Sequence, residues 1–506
     1  MCVTTPVDGK MKIKGDRLNE IQDLMKFSDG SDQFFKEKKN LTYISRLQCV
    51  QAAIESQIMN MAEKEPEKKV GLVSFSNDVN IHGDCDVAPQ VVSGDKLNDF
   101  EFIKKNGIDA TDTHLQKAVG NVNKKLTDKL YELQESGPTA LGPALLTSIA
   151  MATQGSAGSN VVLCTDGLSN VGLGAMETKE QKDLAGDFYD QVADFAHECG
   201  ITVNIISIAG EECDLETLRT IPERTGGEIQ RVEAAKLTEN FANILSAPII
   251  ATDVKMKVII HKGMEFKNEE EELLNNEKNV LTKDMGNVTA DSEVTFEYKV
   301  KDITELEKAK EFDIAKITSL PFQTQIEFTK LDGMKCIRVV TKVQEITNDR
   351  KEVEAAVDAE ILGTNAIQQT AKLARRGSFR KAQAYMKGQR RHWGNNVNSE
   401  EACQQVRSHL HSVQSMYGML QKQNDKEELY KSDSESDSES DSECDDEKDD
   451  LMMSSSLFAE SAAKSKSGSK SKSKKSKNTK KYKSKLDDNM VSEMSNMSKF
   501  NKNRKK

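Results

Sequence analysis

The sequence predicts an α/β chain: a doubly wound parallel sheet, then a small antiparallel β domain, a helical segment and a disordered tail. Three observations predict it. Short continuous apolar runs at 70–75, 160–164 and 201–208 read as strands covered on both faces. Amphipathic helical spacing lies between them, the alternation that builds a parallel sheet. After Ala247-Pro248 the pattern changes to period-two alternation, the mark of half-buried antiparallel strands.

Residues 1–43 are polar and turn-rich, with no run that reads as a buried strand. Ile44, Leu47, Val50, Ile54, Ile58 and Met61 then recur at helical spacing, and Pro66 follows closely, as expected beyond a helix end. Val70-Gly71-Leu72-Val73-Ser74-Phe75 is the first buried strand. Residues 78–135 add a weak strand near Val79–Ile81 and two charged helices. Thr139 lies in a Gly/Pro loop before a helix beginning near Pro143, where proline suits the first turn. The strand at Asn160–Cys164 ends on Thr165-Asp166-Gly167. Leu184, Phe188, Val192, Phe195 and Cys199 mark the next helix, and Gly200 stops it. Ile201–Ile208 is a third buried strand, followed by a short helix, the turn Thr225-Gly226-Gly227 and a last helix to about Ser246.

Residues 44–248 thus form the α/β domain, and 249–346 a β-sandwich-like domain. Val294, Phe296, Tyr298 and Val300 alternate with polar residues, as do Ile337, Val339 and Val343. Asp332-Gly333 marks a hairpin. Residues 347–424 read as helical, with Val353, Val357 and Ile361 on one face, a break at Gly377 and a further helix from Ser399. Residues 425–506 hold a Ser-Asp-Ser-Glu repeat (432–450) and a Ser/Lys tract (464–485); neither can bury apolar surface, so disorder is expected.

The net charge of −11 is uneven, with the acidic excess before residue 431 and a slight basic excess after it. An acidic body argues against nucleic acid as a ligand, except through the Lys-rich tail. Nine scattered cysteines, never spaced Cys-x-x-Cys, read as reduced thiols in a cytoplasmic protein, with nuclear import open to the Lys-rich tail. No apolar run reaches the ~20 residues of a membrane span.

The Thr139 loop, the strand end Leu163-Cys164-Thr165-Asp166-Gly167 and the turn Thr225-Gly226-Gly227, in this order, resemble a von Willebrand factor type A domain over about 44–248. The resemblance implies a protein-binding module with a divalent-cation site at the carboxyl ends of the strands. In that family an Asp-x-Ser-x-Ser loop, a threonine and an aspartate hold the ion, and an acidic group of the partner completes its shell. Thr139 and Asp166 match the second and third elements and are the expected metal ligands. The first element and its strand have no counterpart here, so Mg²⁺ is expected to bind weakly, and Met1 is expected to be an internal methionine of a longer reading frame. The order of domains also resembles the trunk of vesicle-coat subunits, without their zinc finger, so a metal-independent intracellular scaffold is the alternative.

Each residue has a plainer role to weigh. Thr139 could cap the following helix, and Asp166-Gly167 could be an ordinary turn. Arg375-Arg376-Gly377-Ser378 resembles a basophilic kinase site with Ser378 as acceptor; equally, Gly377 ends one helix and Ser378 caps the next. No phosphate-binding glycine loop follows a strand, and no nucleophile arrangement stands out, so the chain is expected to be non-catalytic.

Overall fold

The computed structural model describes residues 5–6, 43–135, 137–302, 318–347, 349, 352–353, 358–396, 417–425 and 486–499. They fall into two compact units, one holding residues up to Val353 together with the chain from Leu486, the other holding the intervening residues.

In the first unit, helix α1 (Arg46–Lys64) starts at Ser45, whose hydroxyl accepts the Gln48 amide while the Gln48 side chain accepts the Ser45 amide. This reciprocal cap satisfies two donors that a helix start leaves open. Strands β1 (Leu72–Phe75), β2 (Val79–Gly83) and β3 (Gln90–Val92) form an antiparallel sheet in that order. Helices α2 (Phe100–His114), α3 (Val119–Glu132) and α4 (Leu141–Ala152) follow. Strands β4 (Asn160–Thr165), β5 (Thr202–Ile208) and β6 (Ile229–Val232) make a parallel sheet in that order. Between them lie α5 (Lys179–Glu198), α6 (Leu215–Leu218) and α7 (Thr220–Thr225), and α8 (Leu237–Ser246) closes the domain.

The two half-sheets share their covering layers. Cys49 and Ala53 of α1 pack on Ile206, Ile208 and Val232, while Ile58 of the same helix meets Leu72. On the other side α4 packs against both β1 and β4. Among the described residues, no strand pairs with both β1 and β4.

Every residue of β5 is buried, as its apolar run requires. In contrast, all four residues of β1 are only half-buried; among the described residues one edge of that strand has no neighbouring strand. Strand β6 is absent from the sequence reading: four residues after a Gly-Gly turn are too short a run for periodicity to register. Leu184, expected on the inner face of α5, is 70% exposed, and the buried stripe runs through Ala185, Phe188, Tyr189 and Val192.

Beyond Ala247-Pro248, β7 (Ile249–Ile260), β9 (Val280–Thr289), β11 (Ser319–Thr329) and β12 (Lys335–Glu345) form an antiparallel sheet in the order β9-β7-β11-β12. Strands β8 (Met264–Lys267) and β10 (Glu297–Val300) pair separately. Val258, Ile260, Met264, Phe266 and Leu281 fill the space between, joined by Phe296 and Phe322, as in a sandwich. The hairpin at Asp332-Gly333 joins β11 to β12, with Gly333 at φ +83°. The alternation of Ile337, Val339 and Val343 marks a strand but not its cover: these side chains are 52–60% exposed on the edge strand β12.

The β domain meets the α/β domain at Gly226. This residue ends α7 at φ +76°, and a Cβ there would lie 1.9 Å from the carbonyl oxygen of Asn287 on β9. Only glycine meets both demands.

In the second unit, α9 (Ala359–Arg375) and α10 (Phe379–Asn396) pack against each other, with Ile367, Ala371, Phe379 and Ala382 buried, and residues 417–425 are helical. Val357, the start of the helix expected from Ser399, and the acidic and Lys-rich tracts at 432–450 and 464–485 lie outside the described residues. The tail reading needs one correction. Asp488–Ser498 forms a helix, α11, that packs on β6 and α6, because Met490, Val491, Met494 and Met497 share an apolar stripe hidden behind a low-complexity composition.

Candidate functional site: the carboxyl ends of the strands

Asp166 follows β4 directly and is exposed. Thr139 lies half-buried in the loop before α4. The structure brings the two loops together through the backbone. The Thr139 amide donates to Asn170 Oδ1 at 2.6 Å, and the Thr139 carbonyl accepts from the amides of Asn170 and Val171. The next amide, Ala140, donates to the carbonyl of Ser76 just after β1, at 2.7 Å. Thr139 does not cap α4; the N-cap is Ala140, with no side-chain cap bond. Behind Asp166, the Thr165 hydroxyl is buried and donates to the Gly167 carbonyl, which fixes the turn.

A third side chain completes the rim. Arg46, the first residue of α1, places Nη1 3.3 Å from Asp166 Oδ2; the side chains are 8% and 52% exposed. Gly210, just beyond β5 at φ +152°, lets the backbone close over the guanidinium: a Cβ there would lie 1.9 Å from Arg46 Nη2. Sequence reasoning misses Arg46. The available signal is its position, since a cation in the first turn of a helix opposes the helix dipole unless an anion answers it.

A divalent cation held by Thr139 and Asp166 meets a poor fit in these residues. One oxygen of the aspartate already faces a fixed positive charge, and a second cation there would be repelled. No group of three or more His, Cys, Asp or Glu side chains suited to a metal occurs among the described residues.

Other chemistry-bearing groups sit apart from this rim. His82, Cys85, Val87, Pro89, Lys125, Asp128, Lys129 and Glu132 line an open cavity of about 280 Å³. There Ser74 Oγ and His82 Nε2 are 2.8 Å apart, but the buried Nδ1 of His82 lacks a hydrogen-bond partner, so no carboxylate orients the ring as nucleophile activation needs. Burial, with Lys129 nearby, lowers the His82 pKa to about 4. Burial likewise pushes the thiols of Cys49, Cys85 and Cys213 up to about 11 and that of Cys164 to about 12. All four are protonated at neutral pH and poor nucleophiles. Ser378 is half-buried between α9 and α10, its amide donating to the Leu373 carbonyl, with Gly377 at φ +72°.

No helix among the described residues is long and apolar enough to cross a membrane. Residues 42–249 match the family model of the Sec23/Sec24 trunk domain. Over 353 residues the chain is 35% identical to "Circularly permutated Ras protein 1" of Dictyostelium discoideum, covering 68% of this chain and 40% of that relative. The chain therefore spans well under half the length of that curated relative. Among solved structures it resembles the human COPII-coat protein Sec24c at 13% identity and TM-score 0.48, over 72% of this chain and 52% of that one. It also resembles a von Willebrand factor type A protein from Catenulispora acidiphila at 14% identity and TM-score 0.41, over 74% and 78%. With the trunk-model match and the order of its strands and helices, the segment 42–249 has the von Willebrand factor type A-like fold, in the Sec23/Sec24 trunk form.

Proposed function

We propose that this protein is a non-catalytic protein-interaction module that works without a divalent cation, in the manner of a cytoplasmic scaffold or coat component. The observation that carries the reading is the Arg46–Asp166 pair. It supplies from within the chain the positive charge that the family's cation site would take from solution. The rim then offers a half-exposed carboxylate and a loop locked by backbone hydrogen bonds, a surface for recognition rather than reaction. The match to a trunk domain supports the scaffold character.

The test is melting of the full chain in millimolar MgCl₂ and in EDTA, for wild type and Arg46→Ala. A ligand at 100 times its Kd adds ~2.7 kcal/mol to folding, so occupancy would be plain. The expected result is the same midpoint in both buffers for wild type. A clear Mg²⁺-dependent rise in wild type would instead favour the second reading, in which Thr139 and Asp166 hold Mg²⁺ and an acidic group of the partner completes its shell.

A further inference from the structure

Helix α11 is held on the α/β domain by contacts of the kind that read a ligand. Asp488 is buried, and its carboxylate accepts the amides of Cys213 at 2.6 Å and Leu215 at 2.8 Å. Arg231 of β6 adds an ion pair at 2.7 Å, with both side chains under a tenth exposed. One carboxylate thus meets a guanidinium and two backbone donors, a charge-assisted arrangement that is strong and directional.

Four residues on, Ser492 Oγ accepts the backbone amide of Arg231 at 2.8 Å. Strand β6 lies at the edge of its sheet, so this bond answers a donor that an edge strand leaves open. Met490, Val491, Met494 and Met497 pack below, each at most 4% exposed. Lys499 Nζ closes the far end on the carbonyls of Gly226 and Gly227. Methionine is unbranched and flexible, so the helix side of this contact fits without demanding one rigid shape. An eleven-residue helix is too short to persist alone in water, so its helicity comes from docking.

We propose that the surface formed by β6, α6 and the Cys213–Leu215 turn is a binding site for an amphipathic helix led by an aspartate, and that α11 is its covalently attached, displaceable occupant. The recognition pattern is an Asp followed by aliphatic or Met residues two, three, six and nine positions on, with a hydroxyl at the fourth. While α11 is docked, the edge of β6 is shut to partners. A partner helix of the same pattern displaces α11 and takes its place. This site adjoins the Arg46–Asp166 rim through the Gly210–Cys213 segment, but the proposal does not rest on the cation-free reading of that rim.

The test uses the full chain and a labelled peptide of residues 485–500. Wild type, its site filled from within, should bind the peptide at least tenfold more weakly than Asp488→Ala, whose clasp is weakened. The double variant Asp488→Ala/Arg231→Ala should lose that gain. Equal affinity of wild type and Asp488→Ala would overturn the proposal, as would no binding to a folded Asp488→Ala chain. Hydrogen exchange on unmodified protein covers the case in which the variants misfold. Amides of α11 should exchange at least tenfold faster than those of β5, whereas equal rates would make α11 a fixed part of the core and end the idea. Sedimentation separates the sources of the helix. A monomer is expected; a dimer dissolved by Asp488→Ala would overturn docking within one chain.

Discussion

Arg46 and Asp166 are 120 residues apart in sequence and 3.3 Å apart in space, joining the start of α1 to the end of β4. Asp166→Ala leaves the guanidinium buried without its partner. The cost should be about 1–2 kcal/mol, less than the ~3–5 of a fully buried pair, because water screens the half-exposed aspartate. Urea denaturation measures it. A variant as stable as wild type would show that the pair contributes nothing.

His82 makes stability depend on pH. Its pKa falls from 6.5 when unfolded to about 4 when folded, so the unfolded chain binds more protons between those values. Stability is therefore complete above about pH 6.5 and is lost as pH falls toward 4, by up to roughly 3 kcal/mol. His82→Gln should flatten this part of the profile. An unchanged slope between pH 4 and 6.5 would assign the loss to other groups.

Gly226→Ala should destabilise by at least ~2 kcal/mol, combining a left-handed backbone with a clash on rigid neighbouring backbone. Gly333→Ala shares the positive φ but meets nothing within 4 Å, so it should cost about 1 kcal/mol. Equal melting shifts for the two would remove packing against Asn287 as the cause.

Ser378 is the expected acceptor of a basophilic kinase, since Arg375 and Arg376 precede it. A phosphate at the start of α10 is favoured by the helix dipole. Phosphosite mapping after treatment of the intact chain should find Ser378 modified. An unmodified Ser378 would leave it as a helix-junction residue only.

Much of the fold is legible in the sequence because burial on both faces writes a continuous apolar run, as in β5. The Asp-Gly hairpin is equally plain, since only certain residues make that turn. What stays hidden is whatever depends on a distant partner. Strand β6 is too short to show a period. The apolar stripe of α11 is masked by the polar tract before it. The Thr139 and Asp166 loops are readable as neighbours, but the partner of Arg46 is not, because a cation at a helix start signals a nearby anion without saying which one.

The seam between β1 and β4 has a mechanical consequence. Rows of backbone hydrogen bonds make a sheet stiff against sliding, and among the described residues that stiffness stops between the two halves, which are joined by side-chain packing under α1 and α4. Besides the Leu173 amide bonded to the Leu97 carbonyl, the Thr139–Ala140 segment bridges this seam. It is hydrogen-bonded to Ser76 on one half and to Asn170 and Val171 on the other. A shear of one half-sheet past the other therefore loads this loop, and the rim beside Asp166 changes shape with it. Thr139 sits where a displacement spread over the whole domain becomes a local movement of a few bonds.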